Sequence, residues 1–284
     1  MASRDIEKLN QISDQINNDG GRSIAVKTDI TNLDSCKNML SESISAFGRV
    51  DSLILNAGIS MWARFDRITD ISLFNNINEI NYVILCVKPK DALNAYEEIA
   101  SMKNNLKIVS FVAGIKSKKY FKINKNVSFL RAMPNTSSRF DLGITALFNC
   151  SFQKTDMAYI KGLFKKFGRV IELDHESKMD QFTGLVGSGP AYFFYLLKNY
   201  EKELLKMCNG NKDEVAAIMT NLLEGVSKSI QVNDNLDELI KMVAAKKGTT
   251  EAGLKSFSTS NMNKIFRNGL KKAIERSKEI SNEY

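Results

Sequence analysis

Gly248, Thr249 and Thr250 open a helix that is predicted over 249–257. The first N–H groups of a helix have no acceptor within it, and the positive end of the helix dipole lies there. Together with the two threonine hydroxyls, these groups can receive a carboxylate. Such a site requires neither a histidine nor a metal ion.

Hydrolytic triads and metal clusters are disfavoured by the residue types present. The chain has a single histidine, His175, and its 4 cysteines include no Cys-x-x-Cys pair. Asp174 precedes the histidine, but no Gly-x-Ser-x-Gly elbow occurs. We therefore predict no metal site, and we interpret His175 as a surface or capping residue.

The first part of the chain alternates helical and strand patterns. Gly48 and Gly168 are predicted to end the helices before them, and Asp34 to cap the second helix. Continuous apolar strands must be buried on both faces, which predicts a parallel sheet covered by helices. The predicted helices are 6–16, 34–47, 92–102 and 156–167, and the predicted strands are 23–27, 50–55, 82–87, 107–112, 127–131, 143–148 and 170–173.

Beyond Gly189 the pattern is helical, and Pro190 suits a first helical turn. Helices are predicted over 190–207, 212–231, 235–246, 249–257 and 260–281. We expect an α/β fold: a Rossmann-like parallel-sheet domain, then an all-helical dimerisation domain, with a boundary near 174–189. This order is typical of nicotinamide-dependent reductases, in which the sheet binds the dinucleotide.

Composition is that of a globular protein. The 284 residues are 43% hydrophobic and 25% charged, with 16 Gly and 3 Pro, which excludes collagen-like and disordered classes. The net charge of +8 comes from 40 basic and 32 acidic residues, which we interpret as a solvated surface rather than a nucleic-acid site. No signal, transit or membrane-spanning pattern is present, so we expect a cytoplasmic protein without a membrane or nucleic-acid partner.

Several motifs between 82 and 284 closely resemble, in this order, the pyrroline-5-carboxylate reductase family. They are Val87-Lys88-Pro89, Ala113-Gly114-Ile115, Arg131-Ala132-Met133-Pro134-Asn135-Thr136, Gly187-Ser188-Gly189-Pro190-Ala191-Tyr192-Phe193-Phe194 and Gly248-Thr249-Thr250-Glu251-Ala252-Gly253-Leu254. The resemblance implies reduction of the C=N bond of 1-pyrroline-5-carboxylate to L-proline, the last step of proline biosynthesis. NADPH and NADH both remain open as the cofactor, and a homodimer or higher homo-oligomer is implied.

The resemblance also implies roles for individual residues. Thr249 or Thr250 would approach the imine nitrogen as catalytic residues, and Ser188, Gly189 and Gly248 would complete the substrate site with them. The cofactor would lie along the strand ends, at Val87, Lys88, Pro89, Ala113, Gly114, Pro134 and Asn135. Taken one at a time, each glycine is equally a turn or a helix cap, and Pro134 equally a rigid loop.

The segment before the threonines departs from the family pattern. Ser-Pro-Gly-Gly is usual there, whereas this chain has Ala245-Lys246-Lys247-Gly248. We expect a change in loop flexibility, with the two lysines attracting the substrate carboxylate.

The N-terminal segment, 2–81, resembles the short-chain dehydrogenases/reductases instead. The motifs on which this resemblance rests are Gly20-Gly21, Thr28-Asp29-Ile30-Thr31, Phe47-Gly48-Arg49-Val50-Asp51, Leu55-Asn56-Ala57-Gly58-Ile59 and Ile77-Asn78-Glu79-Ile80-Asn81-Tyr82. This resemblance implies that Asp29 lies near the adenine, Asn56 beside the cofactor, and Asn81 in a catalytic network. That family's Tyr-x-x-x-Lys pair is absent, since none of the 8 tyrosines has a lysine four residues on.

Neither resemblance supplies the Gly-x-Gly-x-x-Gly/Ala turn that holds the cofactor pyrophosphate. Among the 16 glycines only Gly187 and Gly189 have the first spacing, and Tyr192 stands where the third small residue belongs. We therefore predict that NADPH binds much more weakly than in an intact family member. The join near 67–82 is open to three origins: a natural gene fusion, an error in gene prediction or assembly, and a designed chimera.

We expect three segments: a dehydrogenase-like fragment over 1–81, the rest of the dinucleotide domain over 82–178, and the helical substrate and dimerisation domain over 179–284. Two other functions stay open beside the reductase. One is a short-chain dehydrogenase/reductase, and the other is a catalytically inactive oligomerising protein.

Overall fold

The computed structural model of the chain describes residues 2–29, 32–50, 52–55, 81–102 and 105–283. The chain divides into two compact units, the first formed by Met1–Thr183 with Arg276–Tyr284 and the second by Gly184–Glu275. None of the helices within the described ranges is long and apolar enough to cross a bilayer.

The first unit combines strands and helices in alternation. Its strands are β1 (Ala2–Ser3), β2 (Val26–Lys27), β3 (Ser52–Leu55), β4 (Tyr82–Leu85), β5 (Lys107–Ser110), β6 (Ser128–Met133), β7 (Gly143–Asn149) and β8 (Gly168–Glu172). Its helices are α1 (Ile6–Asn18), α2 (Leu33–Phe47), α3 (Ala92–Met102), α4 (Ser117–Ile123), α5 (Lys154–Lys165) and α6 (Lys178–Phe182).

The main sheet has the order β3-β4-β5-β6-β7-β8, while β1 and β2 form a separate parallel pair. Strands β3 to β6 are parallel, as are β7 and β8, so the parallel-sheet prediction is confirmed for most of the sheet. It is wrong for β6 and β7, which pair antiparallel. The connection 134–142 is too short for the crossover of a dozen or more residues that a parallel pair needs.

The strands alternate their side chains between two cores. Val83, Leu85, Ile108 and Phe129 pack with α3 and α4 on one face. On the other face, the core formed with α5 consists of Ile84, Val109, Leu130, Ala132, Leu147, Phe152, Met157, Ile160 and Phe164. The apolar runs of β4 and β5 are thus buried on both faces, which is the burial expected for central parallel strands.

Several element ends differ from the sequence prediction. Helix α2 is capped by Asn32, whose Oδ1 accepts from Ser35 N at 2.9 Å, so the Asp34 cap was wrong. Asp34 lies in the first turn, where its charge suits the helix dipole. Gly48 ends α2 with φ 81°, as predicted. Gly168 instead begins β8 with φ 131°, because α5 already ends at Lys165.

The strand predicted over 23–27 is shorter, reaching only from Val26 to Lys27. Helix α4 was missed altogether. Its single fully buried side chain, Tyr120, packs at 4.5 Å between ring centroids on Phe129 and at 5.0 Å on Tyr96. Tertiary packing rather than sequence periodicity therefore holds this short helix.

The second unit is helical. It holds α7 (Gly189–Met207), α8 (Lys212–Val232), α9 (Leu236–Val243), α10 (Thr249–Thr259) and the larger part of α11 (Met262–Glu283). Asn211 and Asn235 cap α8 and α9 through their side-chain oxygens. Pro190 stands in the first turn of α7, as predicted. The predicted helix 235–246 is shorter, ending at Val243.

Candidate active site

Three loops of the first unit lie side by side at the carboxyl edge of the sheet. Leu85 pairs with Ser110, and Ser110 with Arg131, so β4, β5 and β6 reach this edge together. Leu55 of β3 pairs with Leu85, but the next residue, Asn56, lies outside the described residues. Ligands of open α/β sheets bind beyond the carboxyl ends of their strands. The topology therefore brings the predicted cofactor loops together.

The loop after β4 is an extended segment that ends in a turn. Val87 is buried, whereas Lys88 is exposed and precedes a 3-10 turn over Pro89–Asp91. Asp91 N donates to Lys88 O at 3.0 Å. Lys88 thus places an exposed cation at the carboxyl edge of the sheet.

The loop after β5 turns through Gly114, which has φ 79°. Phe111 N donates to Leu85 O at 2.9 Å, which continues the pairing of β5 with β4 into the loop. A Cβ on Gly114 would lie 2.5 Å from Ile280 Cγ2, at the end of α11. The missing side chain at Gly114 is therefore required by the chain's own packing. Ala113 beside it is half-buried.

The loop after β6 is fixed by Asn135. Its side-chain Oδ1 accepts from Ile144 N in β7 at 3.0 Å, and its main-chain O accepts from Ser138 N at 3.2 Å. Both Pro134 and Asn135 are half-buried. Asn135 therefore shapes the loop that carries Pro134, a role that the sequence did not indicate.

A buried ion pair behind these loops was missed by the sequence reasoning. Arg131 of β6 is 3% exposed, and its Nη1 donates to Glu176 Oε1 at 2.9 Å. The same carboxylate accepts from Ser117 N at 2.6 Å and from Ser117 Oγ at 3.0 Å. The partners are far apart in sequence, so no local pattern could have indicated this contact.

The cysteines near this sheet are not nucleophiles. Burial raises the pKa of the Cys86 thiol to about 11. Burial, helped by the charge of Glu176, raises the pKa of Cys150 to about 12. Because the thiolate is the reactive form, both residues stay inert thiols at neutral pH.

In the second unit, α10 begins at Thr249, as predicted. Gly248 precedes it with φ −88° and has no side chain to cap the helix. Thr249 is exposed, and Thr250 is half-buried. The carboxylate of Glu251 accepts from Lys247 N at 2.6 Å, outside the helix. The first turn therefore carries the threonine hydroxyls and uncapped helix N–H groups at one point.

Lys247 takes a backbone conformation that favours glycine. Its φ is 62°, at a position where the resembled family has glycine. A side chain in this left-handed region costs roughly 1–2 kcal/mol. The departure seen in the sequence thus places local strain directly before the predicted substrate helix.

Ser188 and Gly189 stand where α7 begins. A π-helical turn over Thr183–Gly187 leads into the helix, and such turns occur often at functional sites. Tyr192 Oη donates to Gly184 O at 2.9 Å, which supplies a partner for that carbonyl. Ser188 is half-buried, its main-chain O accepts from Ala191 N at 3.1 Å, and its side chain makes no capping bond.

His175 is exposed in the turn before α6. Within the described ranges no three or more His, Cys, Asp or Glu side chains gather as a metal site would require.

Comparison with known proteins gives the family. The chain is 31% identical over 210 residues to the pyrroline-5-carboxylate reductase of Staphylococcus haemolyticus, an alignment that covers 72% of this chain and 76% of the relative. The chain belongs to the pyrroline-5-carboxylate reductase family. The Staphylococcus aureus enzyme of the same name is 33% identical over 213 residues, covering 72% of this chain and 77% of the relative.

Two family models match separate parts of the chain. Residues 176–280 match the pyrroline-5-carboxylate reductase dimerisation model, and residues 1–88 match the short chain dehydrogenase model. Both resemblances drawn from the motifs are thereby confirmed. The second match runs through β4 to Lys88, beyond the predicted end of this segment at 81.

Solved structures with the same fold include two pyrroline carboxylate reductases. The Streptococcus pyogenes enzyme has a TM-score of 0.67 at 21% identity, covering 87% of this chain and 95% of that one. The NADP-bound Plasmodium falciparum enzyme has a TM-score of 0.62 at 24% identity, covering 70% of this chain and 81% of that one. The Rossmann-like fold with a helical C-terminal part is thereby confirmed.

Proposed function

We propose that this reductase converts 1-pyrroline-5-carboxylate to L-proline with NADPH or NADH. The observation that carries the proposal is the 33% identity over 213 residues to the Staphylococcus aureus pyrroline-5-carboxylate reductase. The reaction adds a hydride to the carbon of a protonated C=N bond, and the nitrogen keeps its proton. A hydride donor, an anchor for the carboxylate and a polar group near the nitrogen are what it needs.

The carboxyl edge of the sheet suits a nicotinamide dinucleotide. Lys88 offers a cation for phosphate, Ala113 is small, and Pro134 and Asn135 form a braced loop, with Val87, Pro89 and Gly114 completing the three segments. When bound there, the dinucleotide supplies the hydride. The fit is partial, because the sequence contains no Gly-x-Gly-x-x-Gly/Ala turn for the pyrophosphate.

The start of α10 suits the substrate. The N–H groups and hydroxyls of Thr249 and Thr250 would hold the carboxylate, with one hydroxyl directed at the imine nitrogen. Gly248 leaves this helix end open, and Ser188 and Gly189 would contribute from the start of α7. Lys246 and Lys247 add positive charge beside it, which favours an anionic substrate.

We propose a homodimer formed through the helices after 184. Three successive aromatic side chains of α7 are exposed, Phe193 at 60%, Phe194 at 68% and Tyr195 at 72%. Several large apolar side chains left exposed on one helix are typical of an interaction surface. The match of 176–280 to a dimerisation model supports the same assignment.

The test follows the oxidation of NADPH by the full chain as a loss of nicotinamide absorbance at about 340 nm. The reaction is run with and without 1-pyrroline-5-carboxylate, and proline is then detected. Substrate-dependent oxidation with equimolar proline supports the proposal. A stable dimer without turnover would instead favour the inactive oligomer. The dehydrogenase alternative is disfavoured, because that family's Tyr-x-x-x-Lys pair is absent from the sequence.

A further inference from the structure

Glu176 bonds a strand of the sheet and also the start of the helix that follows one predicted cofactor loop. It lies between β8 and α6, yet its carboxylate bonds Arg131 at the end of β6 and Ser117 at the start of α4. We propose that Glu176 is a positioning residue that fixes the β5–α4 loop, 111–116, and through it the affinity for the cofactor. The part of this inference that concerns cofactor affinity rests on the proposed function.

The contact with Ser117 is a helix cap supplied from another part of the chain. The residue before α4 is Lys116, which makes no side-chain capping bond. Glu176 takes that place, accepting from Ser117 N at 2.6 Å and from Ser117 Oγ at 3.0 Å. A carboxylate at this end also meets the positive end of the helix dipole.

The contact with Arg131 makes the carboxylate hard to replace. Arg131 is 3% exposed, and its Nη2 is buried without a hydrogen-bond partner among the described residues. The charge of the guanidinium is therefore balanced by Glu176, whose side chain is 20% exposed. Removing one member of such a pair leaves an uncompensated buried charge. The carboxylate is thus held in place on one side while it caps α4 on the other.

The loop between these anchors is held at both ends and is packed in its middle, where Val112 and Ile115 are buried and Gly114 meets Ile280. At its start Phe111 N bonds Leu85 O at 2.9 Å, and at its end Ser117 bonds Glu176. Between them Ile115 N donates to Ala113 O at 3.0 Å. The contact with Glu176 adds to this packing by fixing the α4 end of the loop that carries Ala113 and Gly114.

Glu176→Gln tests the inference, because it keeps the shape and removes the charge and one acceptor. We expect amide hydrogen exchange over 111–119 to rise at least about tenfold and the Kd for NADPH to rise by about the same factor. In the full enzyme the KM for NADPH should rise more than kcat falls. Ser117→Ala removes only the hydroxyl that donates to Glu176, and it replaces the first variant in the test if that variant does not fold. We expect amide exchange over 111–119 and the Kd for NADPH each to rise about threefold.

Asp156→Asn is the matched control. Asp156 forms a 2.6 Å ion pair with Lys107, the first residue of β5, at the opposite edge of the same sheet. It should weaken the fold while leaving exchange over 111–119 and NADPH affinity unchanged.

Unchanged loop exchange in both Glu176→Gln and Ser117→Ala would overturn the inference, as would faster exchange with unchanged NADPH affinity. A wild-type chain that binds no NADPH contradicts the proposed function instead. The exchange comparison then still decides whether Glu176 positions the loop.

Discussion

Ile280 of α11 fills the space beside Gly114 where a side chain would otherwise lie, with 2.5 Å between Ile280 Cγ2 and an ideal Cβ on the glycine. The end of α11 is fixed there by further contacts. Ser277 Oγ bonds Asp180 Oδ1 at 2.8 Å, and Lys119 Nζ donates to Ser281 O at 3.1 Å. The close approach to the β5–α4 loop is therefore held from both sides of Ile280.

Gly114→Ala should destabilise the first unit. The new methyl group would clash with Ile280 and would sit on a backbone with φ 79°. We expect the free energy of unfolding to fall by about 2–4 kcal/mol, from left-handed strain and overpacking together. Urea denaturation followed by circular dichroism measures this change.

Gly162→Ala is its control. Gly162 lies in α5, and no atom stands within 4 Å of a Cβ added there. This substitution should raise the free energy of unfolding by about 0.5–1 kcal/mol, because alanine is the better helix former. Equal effects of the two substitutions would contradict the packing role of Gly114.

Asp156 should make stability depend on acid pH. Burial by itself would raise its pKa, but hydrogen bonds from Lys107 and Tyr82, with the charge of Lys107, lower the pKa below 3.8. A lowered folded pKa gives stability that is complete above the unfolded pKa and is lost as pH falls through the folded value. At neutral pH, Asp156→Asn should lower the free energy of unfolding by about 1–2 kcal/mol.

The difference between wild type and Asp156→Asn should shrink as pH falls below about 4. Urea titrations at neutral pH and below about pH 4 measure this difference in the free energy of unfolding. Asp174→Asn is the control, since Asp174 pairs with Lys178 on the exposed surface and should change stability little at either pH. A difference that persists in acid would rule out the ion pair as its cause.

The sequence predicted those elements whose burial follows a regular period. Helix α3 coincides with its prediction over 92–102, and β4 and β5 begin at the predicted residues. Gly48 and Gly168, each predicted to end a helix, stand in the same tetrapeptide, Phe-Gly-Arg-Val, at 47–50 and 167–170. Gly48 ends α2, but Gly168 begins β8 beside Gly143. The same four residues take different structures because strand β7 pairs with the second occurrence, at Gly168.

The candidate site was predictable where it follows from topology. Parallel strands bring the loops at Val87, Ala113 and Pro134 to one edge, so their association needed only the strand order. The cap of Ser117 by Glu176 joins residues 59 positions apart. Such a pair depends on where β8 places the next turn, which local patterns do not encode.

Lys247→Gly should stabilise the chain. With φ 62°, Lys247 carries strain that glycine does not. The gain is reduced by the greater freedom of glycine in the unfolded chain, so we expect about 0.5–1 kcal/mol more unfolding free energy. The thermal midpoint checks this. Lys246→Gly, at a neighbour without positive φ, should lower the midpoint, and a lower midpoint for Lys247→Gly would contradict the strain.

Thr250→Ala should lower kcat/KM for 1-pyrroline-5-carboxylate by about 10–100-fold, the range for a lost hydrogen bond to a charged group. The fold should be retained, because Thr250 is half-buried at the helix start. Thr259→Ala, at the other end of α10, is the control and should leave kcat/KM unchanged. Equal kinetics for wild type and Thr250→Ala would remove that residue from the site.

NADPH should bind this chain far more weakly than it binds a family member that has the glycine turn. A micromolar site is worth about 8 kcal/mol, and each hydrogen bond to a charged phosphate contributes roughly 1.5–3 kcal/mol. Without two or three such bonds, the Kd should approach the millimolar range. Fluorescence titration of both proteins under one salt condition gives the comparison. A low-micromolar Kd for this chain would show that groups outside the missing turn, with Lys88 the first to test by Lys88→Ala, hold the pyrophosphate.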